Sequence, residues 1–393
     1  MLSSLDIIKN YSSNSANSII EAFYRELVLP EDQKLIDLAF AKEIDQEKLD
    51  EFLKSWDIEK FGERKSLILS YVMKTNPQLK FPMYEKPRLE GLLKFHRFHN
   101  LKLISHFAKI TRALNEENIF PIILKGGAMK HIRPDLARPM GDIDILIPNE
   151  IEFLRACKIA KQLGYVYEDF PGDHSVDLHL PNSAEGTVDL HQYVNLETLY
   201  DREFLTDLLA RCRKEKVFAV HALVPSYEDL LFLGMINLSR NLHNKTSMQG
   251  ILYNLFDFKY LIETKPDFNW NLVLENITKT KTYTQGLLAM KFINKIVPDL
   301  LPESLVANKK INGKLTRYCD RVMFNRFYFY DLKMDCRRLK IKDALKNIEI
   351  MREYLAKKPK YFILKRVVRK SYLLTKIFLI MANKEKFKNE SES

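Results

Sequence analysis

The chain has 393 residues, a length that suits two domains or one domain with a substantial extension. Hydrophobic residues make up 46% and charged residues 29%, so the fibrous and intrinsically disordered classes of protein are excluded. The net charge of +11 comes from one end, because residues 331–393 carry 18 basic and 8 acidic residues whereas residues 1–330 carry 44 and 43. We therefore expect no broad nucleic-acid-binding surface.

The cysteines and the N-terminus bear on the cellular compartment. The 4 cysteines lack CxxC spacing, which indicates neither a disulfide framework nor a four-thiolate zinc site. The first residues, MLSSLDIIKNYSS, lack the basic and apolar segments of a signal peptide, and no apolar stretch has the length of a membrane-spanning helix. We expect a cytoplasmic protein.

The first predicted elements are helices. Apolar residues recur at helical spacing through residues 1–118, and the clearest stripe runs from Leu101 to Leu114. From Phe120 the pattern changes to FPIILKGGAMK, in which a short apolar run, a glycine pair and a helical segment predict a strand, a turn and a helix.

The next segments predict a small sheet. MGDIDILIP predicts a strand. Asn149 with Glu152 predicts the start of a helix that runs through Ile151, Leu154, Cys157 and Ala160 and ends at Gly164. SVDLHL and TVDLHQYV, separated by the turn-forming PNSAEG, predict a β-hairpin. Beyond about residue 197 the pattern returns to helices, one of them capped by Ser226.

These elements predict an α+β fold with a small mixed sheet of about five strands. We divide the chain into an N-terminal helical region (1–95), an α/β core (96–200), a helical domain (201–330) and a basic helical C-terminal extension (331–393).

The DID strand carries the first candidate site. Asp142 and Asp144 share one face of the strand, where two carboxylates repel each other unless a cation lies between them. Oxygen ligands of this kind suit Mg²⁺, above all when substrate phosphates complete the coordination. A third carboxylate on another strand would be Asp177 or Asp189, and we favour Asp189.

The KGG segment carries the second candidate site. Gly126 and Gly127 let a ligand approach the backbone, and the following helix presents free N–H groups to a phosphate. Lys125 adds positive charge, and Arg138 is either a phosphate ligand or a solvated loop residue. His191 shares a strand face with Asp189 and would orient it or a metal-bound water.

Taken together, KGGAMK, ARPMGDIDILI and TVDLH resemble the polymerase-beta-like nucleotidyltransferase superfamily. More narrowly, the chain resembles an uncharacterised bacterial nucleotidyltransferase family whose pattern is matched by Lys125–Gly126, Arg138 with DID, Gly164–Tyr165 and Val188–His191. The resemblance covers residues 95–275.

The resemblance implies Mg²⁺-dependent transfer of NMP from an NTP, taken as ATP, to a hydroxyl acceptor with release of pyrophosphate. It implies that Asp142, Asp144 and Asp189 hold two Mg²⁺ ions and act in catalysis, and that Gly126 and Gly127 cradle the triphosphate. Gly127 stands where the wider superfamily commonly has Ser. The acceptor stays open between a sugar or glycan precursor, a small metabolite, a protein and an RNA end.

Two other functions remain open on the sequence. The first is a single-metal hydrolytic site, whose ligands would come from His174, Asp177, His179, Asp189 and His191. The chain is also compatible with a catalytically inactive nucleotide-binding or adaptor protein.

The C-terminal segment KRVVRKSYLLTKIFLIM mixes basic and apolar residues. It predicts either a helix packed on the body of the protein or an amphipathic helix that makes peripheral membrane contact.

Overall fold

A computed structural model describes the fold. The structure describes residues 20–21, 24–25, 27–41, 43–57, 59, 62–134, 138–167, 175–181, 187–194, 202–243, 248–280 and 282–302. The predicted basic extension (331–393) and His174 lie outside these residues. The chain divides into two units, and the whole sheet belongs to the unit of residues 24–239 and 247–311.

Eleven helices lie within the described residues. They are α1 (Pro30–Phe40), α2 (Gln46–Lys54), α3 (Glu63–Thr75), α4 (Lys86–Glu116), α5 (Lys125–Ile132), α6 (Glu150–Gln162), α7 (Arg202–Arg211), α8 (Tyr227–His243), α9 (Met248–Thr264), α10 (Trp270–Lys279) and α11 (Tyr283–Ile296).

A six-stranded mixed sheet forms the centre of this unit, in the order β3-β4-β2-β1-β6-β5. The strands are β1 (Ile122–Ile123), β2 (Asp142–Leu146), β3 (Ser175–Leu178), β4 (Thr187–His191), β5 (Arg213–Val217) and β6 (Val220–Val224). Strand β2 is parallel to β4 and β1 is parallel to β6, whereas the other neighbours are antiparallel. The predicted α+β class is confirmed.

Several local predictions are confirmed by backbone geometry. The side chain of Asn149 accepts hydrogen bonds from the N–H groups of Ile151 and Glu152, and so caps α6. Gly164 follows α6 with φ of 90°, a conformation that favours glycine at the end of a helix. The predicted hairpin is formed by β3 and β4.

The prediction that the chain is helical beyond residue 197 is wrong for residues 213–224, which form the hairpin of β5 and β6. Its turn residues, Phe218 and Ala219, have φ of 47° and 71°, the left-handed conformation of a two-residue hairpin turn. That conformation is usually signalled by Asn or Gly, and neither is present. Since β6 pairs with β1, the sheet extends past residue 200.

Two predicted apolar stripes match the packing in part. On α4, Phe107 and Leu114 are buried as predicted, whereas Leu101 is 53% exposed. On α6, Ile151 and Leu154 are exposed. Apolar residues at helical spacing predict the helix but do not fix which side meets the core, because surface helices also carry exposed apolar residues.

Helix α4 packs across strands β2, β4 and β6, and this contact joins the N-terminal helices to the sheet. In the part of the chain that the structure describes, no helix combines the length and apolar character needed to cross a bilayer.

Candidate active site

Three aspartates form a row across three neighbouring strands. The pairing of β2 with β4 places Asp144 beside Asp189, and the pairing of β3 with β4 places Asp177 on the other side of Asp189. Paired residues of neighbouring strands project from the same face of a sheet. Both candidates for the third carboxylate therefore belong to this row, and Asp189 is the one next to Asp144.

Asp142 lies at the open end of the site. It is the exposed first residue of β2, whereas Asp144 is only 4% exposed. Withdrawal of water by the surrounding atoms and the negative charge of Asp144 raise the pKa of Asp142 to about 6. The pair is therefore under electrostatic repulsion, which a bound cation would relieve.

Asp144 is held between two cations. Its Oδ1 atom contacts Nζ of Lys125 and lies 2.9 Å from Nε2 of His191. Burial alone would raise the pKa of this carboxyl, but the two neighbouring cations hold it below its usual range. Asp144 is consequently ionised throughout the physiological pH range.

His191 bridges two aspartates of the row. Its Nε2 atom lies 2.9 Å from Asp144 Oδ1 and 2.9 Å from Asp189 Oδ2, while Nδ1 lies 3.3 Å from the carbonyl oxygen of Tyr193. Burial would lower the pKa of His191, yet the hydrogen bonds to the two carboxylates raise it to about 9. Without a metal ion the two carboxylates thus favour the protonated ring, in which both nitrogens donate hydrogen bonds.

The backbone at Lys125 is strained. Lys125 is the first residue of α5 and has φ of 44°, which costs a residue other than glycine about 1 kcal/mol or more. In this position its ammonium group reaches Asp144. Burial would lower the pKa of Lys125, but the site's carboxylates, Asp144 first, raise it, and the group stays charged.

The glycine pair lies within the first turn of α5 rather than in a turn before it. A Cβ atom on Gly127 would come within 3.0 Å of the side chains of Ile123 and Ile143. A Cβ atom on Gly126 would instead meet the guanidinium of Arg138, at 2.5 Å from Nη1. Gly127 therefore allows the helix to pack on the sheet, and any larger residue here would crowd the two isoleucines.

We predict that Gly127→Ala lowers the free energy of unfolding by about 1–2 kcal/mol, because the crowding by the isoleucines exceeds the gain in helix propensity. The matched control is Gly91→Ala on α4, where a Cβ atom would meet nothing within 4 Å. That variant should gain up to about 1 kcal/mol. Urea unfolding of both variants is the measurement, and equal effects would contradict the packing role of Gly127.

Two aspartates of the row, together with His191, form a group that fits a divalent cation. Ligand atoms of Asp144, Asp189 and His191 all lie within 4.8 Å of one another. The Oδ1 atom of Asp189 is buried and has no hydrogen-bond partner in the described part of the chain. Because a buried carboxylate oxygen without a partner is costly, this atom is suited to bind a metal ion.

The proposed single-metal cluster is only partly assembled. Asp189 and His191 meet, but Nδ1 of His179, which follows β3, lies 3.3 Å from the carbonyl oxygen of Asp177. His179 is therefore not part of the group formed by Asp144, Asp189 and His191.

Arg138 is an ion-paired residue, so its interpretation as a solvated loop charge is wrong. Its Nε atom lies 3.1 Å from Oδ2 of Asp257 on α9, and the two side chains are 14% and 8% exposed. Asn100 on α4 donates a hydrogen bond to the carbonyl oxygen of Arg138 at 2.7 Å. Arg138 is thus anchored through both its backbone and its side chain.

A small pocket opens beside Lys125 and Arg138. Helices α8 and α9 form its other wall, with apolar residues and the side chains of Asn237, Asn254 and Asp257. Its interior of about 30 Å³ has room for about two water molecules.

Sequence reasoning missed Asp257 and Asn100. Each lies far along the chain from the residue it holds, and each belongs to a helical segment whose pattern predicts packing alone. A charged residue at the buried position of a helix is a usable signal, because an unpaired charge is rarely buried; for Asp257, in the segment LFDFKYL, that signal was present.

Comparisons with known proteins identify the chain at the level of the family. Neither the curated proteins nor the solved structures give a match. A family model described as an uncharacterised nucleotidyltransferase matches residues 66–298, which include β1 to β6 and the aspartate row. This chain therefore belongs to a family of uncharacterised nucleotidyltransferases.

Proposed function

We propose that the protein is a Mg²⁺-dependent nucleotidyltransferase that transfers NMP from an NTP, with ATP as the first candidate, to a hydroxyl acceptor. An acceptor oxygen would bond to the α-phosphorus while the bond from that phosphorus to the oxygen of the β-phosphate breaks, and pyrophosphate leaves. The observation that carries the proposal is the pairing of the buried Asp144 with Asp189 in a chain of this family.

The proposed metal ligands are Asp142, Asp144 and Asp189. Divalent cations bound there would neutralise phosphate charge and bring the acceptor hydroxyl to the α-phosphorus. Two observations support this assignment. A cation would relieve the repulsion between the exposed Asp142 and Asp144, and it would bind the unpartnered Oδ1 atom of Asp189. Asp189 would also help to remove the proton from the acceptor hydroxyl, and water would carry that proton away.

The proposed phosphate ligands lie around the start of α5. Backbone N–H groups in the first turn of a helix are free to donate, so Gly126 and Gly127 can bind phosphate oxygens even though Gly127 also packs on the sheet. Lys125 and Arg138 supply positive charge on the wall of the pocket.

The acceptor belongs to one of four classes: a sugar or glycan precursor, a small metabolite, a protein hydroxyl or an RNA end. The pocket has amide groups that can bind a polar ligand, but it offers no contact that selects among these classes. The near-balanced charge of residues 1–330 favours a small acceptor over a long nucleic acid.

A single-metal site is the second candidate, because His191 has the arrangement of a metal-binding histidine. Its Nδ1 faces the carbonyl oxygen of Tyr193 and its Nε2 faces two carboxylates, and ligating histidines often donate their other N–H to a backbone carbonyl. Stoichiometric Zn or Fe in the purified protein, together with no effect of Mg²⁺ and NTP, would favour this function.

Thermal unfolding with Mg²⁺ and each of the four NTPs tests the nucleotide-binding step without knowledge of the acceptor. A ligand at 100 times its dissociation constant stabilises the native state by about 2.7 kcal/mol. We expect a raised melting temperature only when Mg²⁺ and an NTP are both present, and a loss of this shift in Asp189→Asn. An unchanged melting temperature with all four NTPs would contradict the proposal.

A further inference from the structure

We propose that Asp257 is a positioning residue, which binds Nε of Arg138 and thereby presents the terminal nitrogens of that guanidinium to a phosphate of the bound nucleotide. This inference rests on the proposed function and adds a residue to the site on α9, outside the sheet.

The contact between the two side chains leaves half of the guanidinium available. Nε of Arg138 lies 3.1 Å from Oδ2 and 3.3 Å from Oδ1 of Asp257. A guanidinium has five N–H donors, and the carboxylate engages only the Nε side. Within the described residues, neither terminal nitrogen of Arg138 has a hydrogen-bond acceptor.

The direction of Arg138 is also fixed at its backbone. Asn100, which is 2% exposed, donates to the carbonyl oxygen of Arg138 at 2.7 Å and accepts from the N–H of Met140 at 3.2 Å. Asn100 therefore fixes the start of the side chain and Asp257 fixes its Nε atom. Such anchoring reduces the entropy that the guanidinium loses when it binds a ligand.

The terminal nitrogens lie over the first turn of α5. A Cβ atom on Gly126 would come within 2.5 Å of Nη1 and 3.3 Å of Cζ of Arg138, so the helix approaches the guanidinium closely because this residue is glycine. The free N–H groups of that turn and the forked guanidinium both bind phosphate oxygens. Lys125 lines the same pocket.

Asp257 is poorly suited to a purely structural role. Burial raises the pKa of Asp257 to about 6 although Arg138 acts in the opposite direction. A buried ion pair of this kind often contributes less to stability than apolar residues of similar volume would. Its geometry instead orients a phosphate-binding group over the first turn of α5 and beside Lys125.

The test is a double-mutant cycle with Asp257→Asn and Arg138→Gln, read by calorimetric binding of inorganic tripolyphosphate with Mg²⁺. This probe carries the phosphates of an NTP and no base. We expect Asp257→Asn to weaken binding about tenfold, as one misdirected charge-assisted contact would. In the Arg138→Gln background, Asp257→Asn should change binding less than about twofold, because it acts through Arg138.

A second perturbation reaches the same guanidinium from the other side. Gly126→Ala should also weaken binding of the probe about tenfold, by displacing Nη1. The control is Glu228→Gln, which breaks an ion pair in which Nζ of Lys265 lies 2.6 Å from Oε1 of the buried Glu228. This ion pair does not include Arg138 or Asp257. Glu228→Gln should lower the melting temperature and leave binding of the probe unchanged.

The outcomes separate the two proposals. Equal weakening by Asp257→Asn in both backgrounds, or no weakening in the wild-type background, would overturn the positioning role while the proposed function stands. If Asp257→Asn does not fold, unchanged binding in Gly126→Ala would overturn it. Failure of the wild-type chain to bind tripolyphosphate with Mg²⁺ would overturn the proposed function and the positioning role together.

Discussion

The substitutions Asp142→Asn and Asp144→Asn should each reduce Mg²⁺-dependent nucleotidyl transfer by about 10³-fold or more. Their effects on the stability of the protein should be opposite. Loss of a metal-binding carboxylate removes charge stabilisation that a transition state at phosphorus needs, and three powers of ten correspond to about 4 kcal/mol of activation free energy. The stability effects follow from the different surroundings of the two side chains.

Asp144→Asn should destabilise the protein. Its carboxylate lies between Lys125 and His191, and the substitution leaves these two cations facing each other in a buried site. Removal of one partner from a buried ion pair costs about 3 kcal/mol. We therefore expect a clearly lower melting temperature at neutral pH.

Asp142→Asn should stabilise the protein without metal. A pKa raised from 3.8 to about 6 means that folding favours the protonated carboxyl, so the ionised form destabilises the native state as pH rises through this interval. Water screens the exposed side chain, and the gain should be up to about 1 kcal/mol at pH 8 and vanish near pH 4. A destabilised Asp142→Asn at pH 8 would contradict the electrostatic description of the site.

Asp229→Ala should lower the free energy of unfolding by about 3–5 kcal/mol, although Asp229 lies outside the proposed active site. Asp229 is fully buried and accepts two hydrogen bonds from Arg211, at 2.9 Å from Nε and 2.8 Å from Nη2. It also accepts from Asn276 at 2.8 Å and from the hydroxyl of Ser226 at 2.7 Å. The network joins α7, α8 and α10.

The reason for the large effect is that Ala leaves the Arg211 guanidinium without its carboxylate in a partly closed site. The matched control is Asp207→Ala, since Asp207 accepts from Lys279 at the protein surface. Exposed ion pairs contribute little, and this variant should unfold at nearly the wild-type urea concentration. Similar losses for the two variants would contradict the structural role of the buried network.

The aspartate row could be predicted from the sequence because strand periodicity fixes which residues share a face. The DID and VDLH segments each place two polar side chains on one side of a strand, so only the pairing of the strands was needed to bring Asp144 and Asp189 together. The cap at Ser226 was predictable for a similar reason, and the N–H of Asp229 donates to its hydroxyl at 3.1 Å.

Features that depend on distant contacts could not be predicted. The β5–β6 hairpin turns at Phe218 and Ala219, residue types that give no turn signal, and joins the sheet through β1 nearly a hundred residues earlier. The sequence predicts that Gly127 binds a ligand, and only the positions of Ile123 and Ile143 show that it also packs on the sheet. Arg138 and Asp257 are 119 residues apart.

Transfer of label from ATP tests the proposed reaction most directly. The protein is incubated with Mg²⁺ and a cell extract, once with ATP labelled at the α-phosphorus and once with ATP labelled at the γ-phosphorus. We predict that only the α-label enters an acceptor and that the γ-label appears in pyrophosphate. The Asp144→Asn variant should give neither labelled acceptor nor labelled pyrophosphate. Entry of the γ-label into an acceptor, or equal label transfer by Asp144→Asn, would contradict nucleotidyl transfer at the aspartate row.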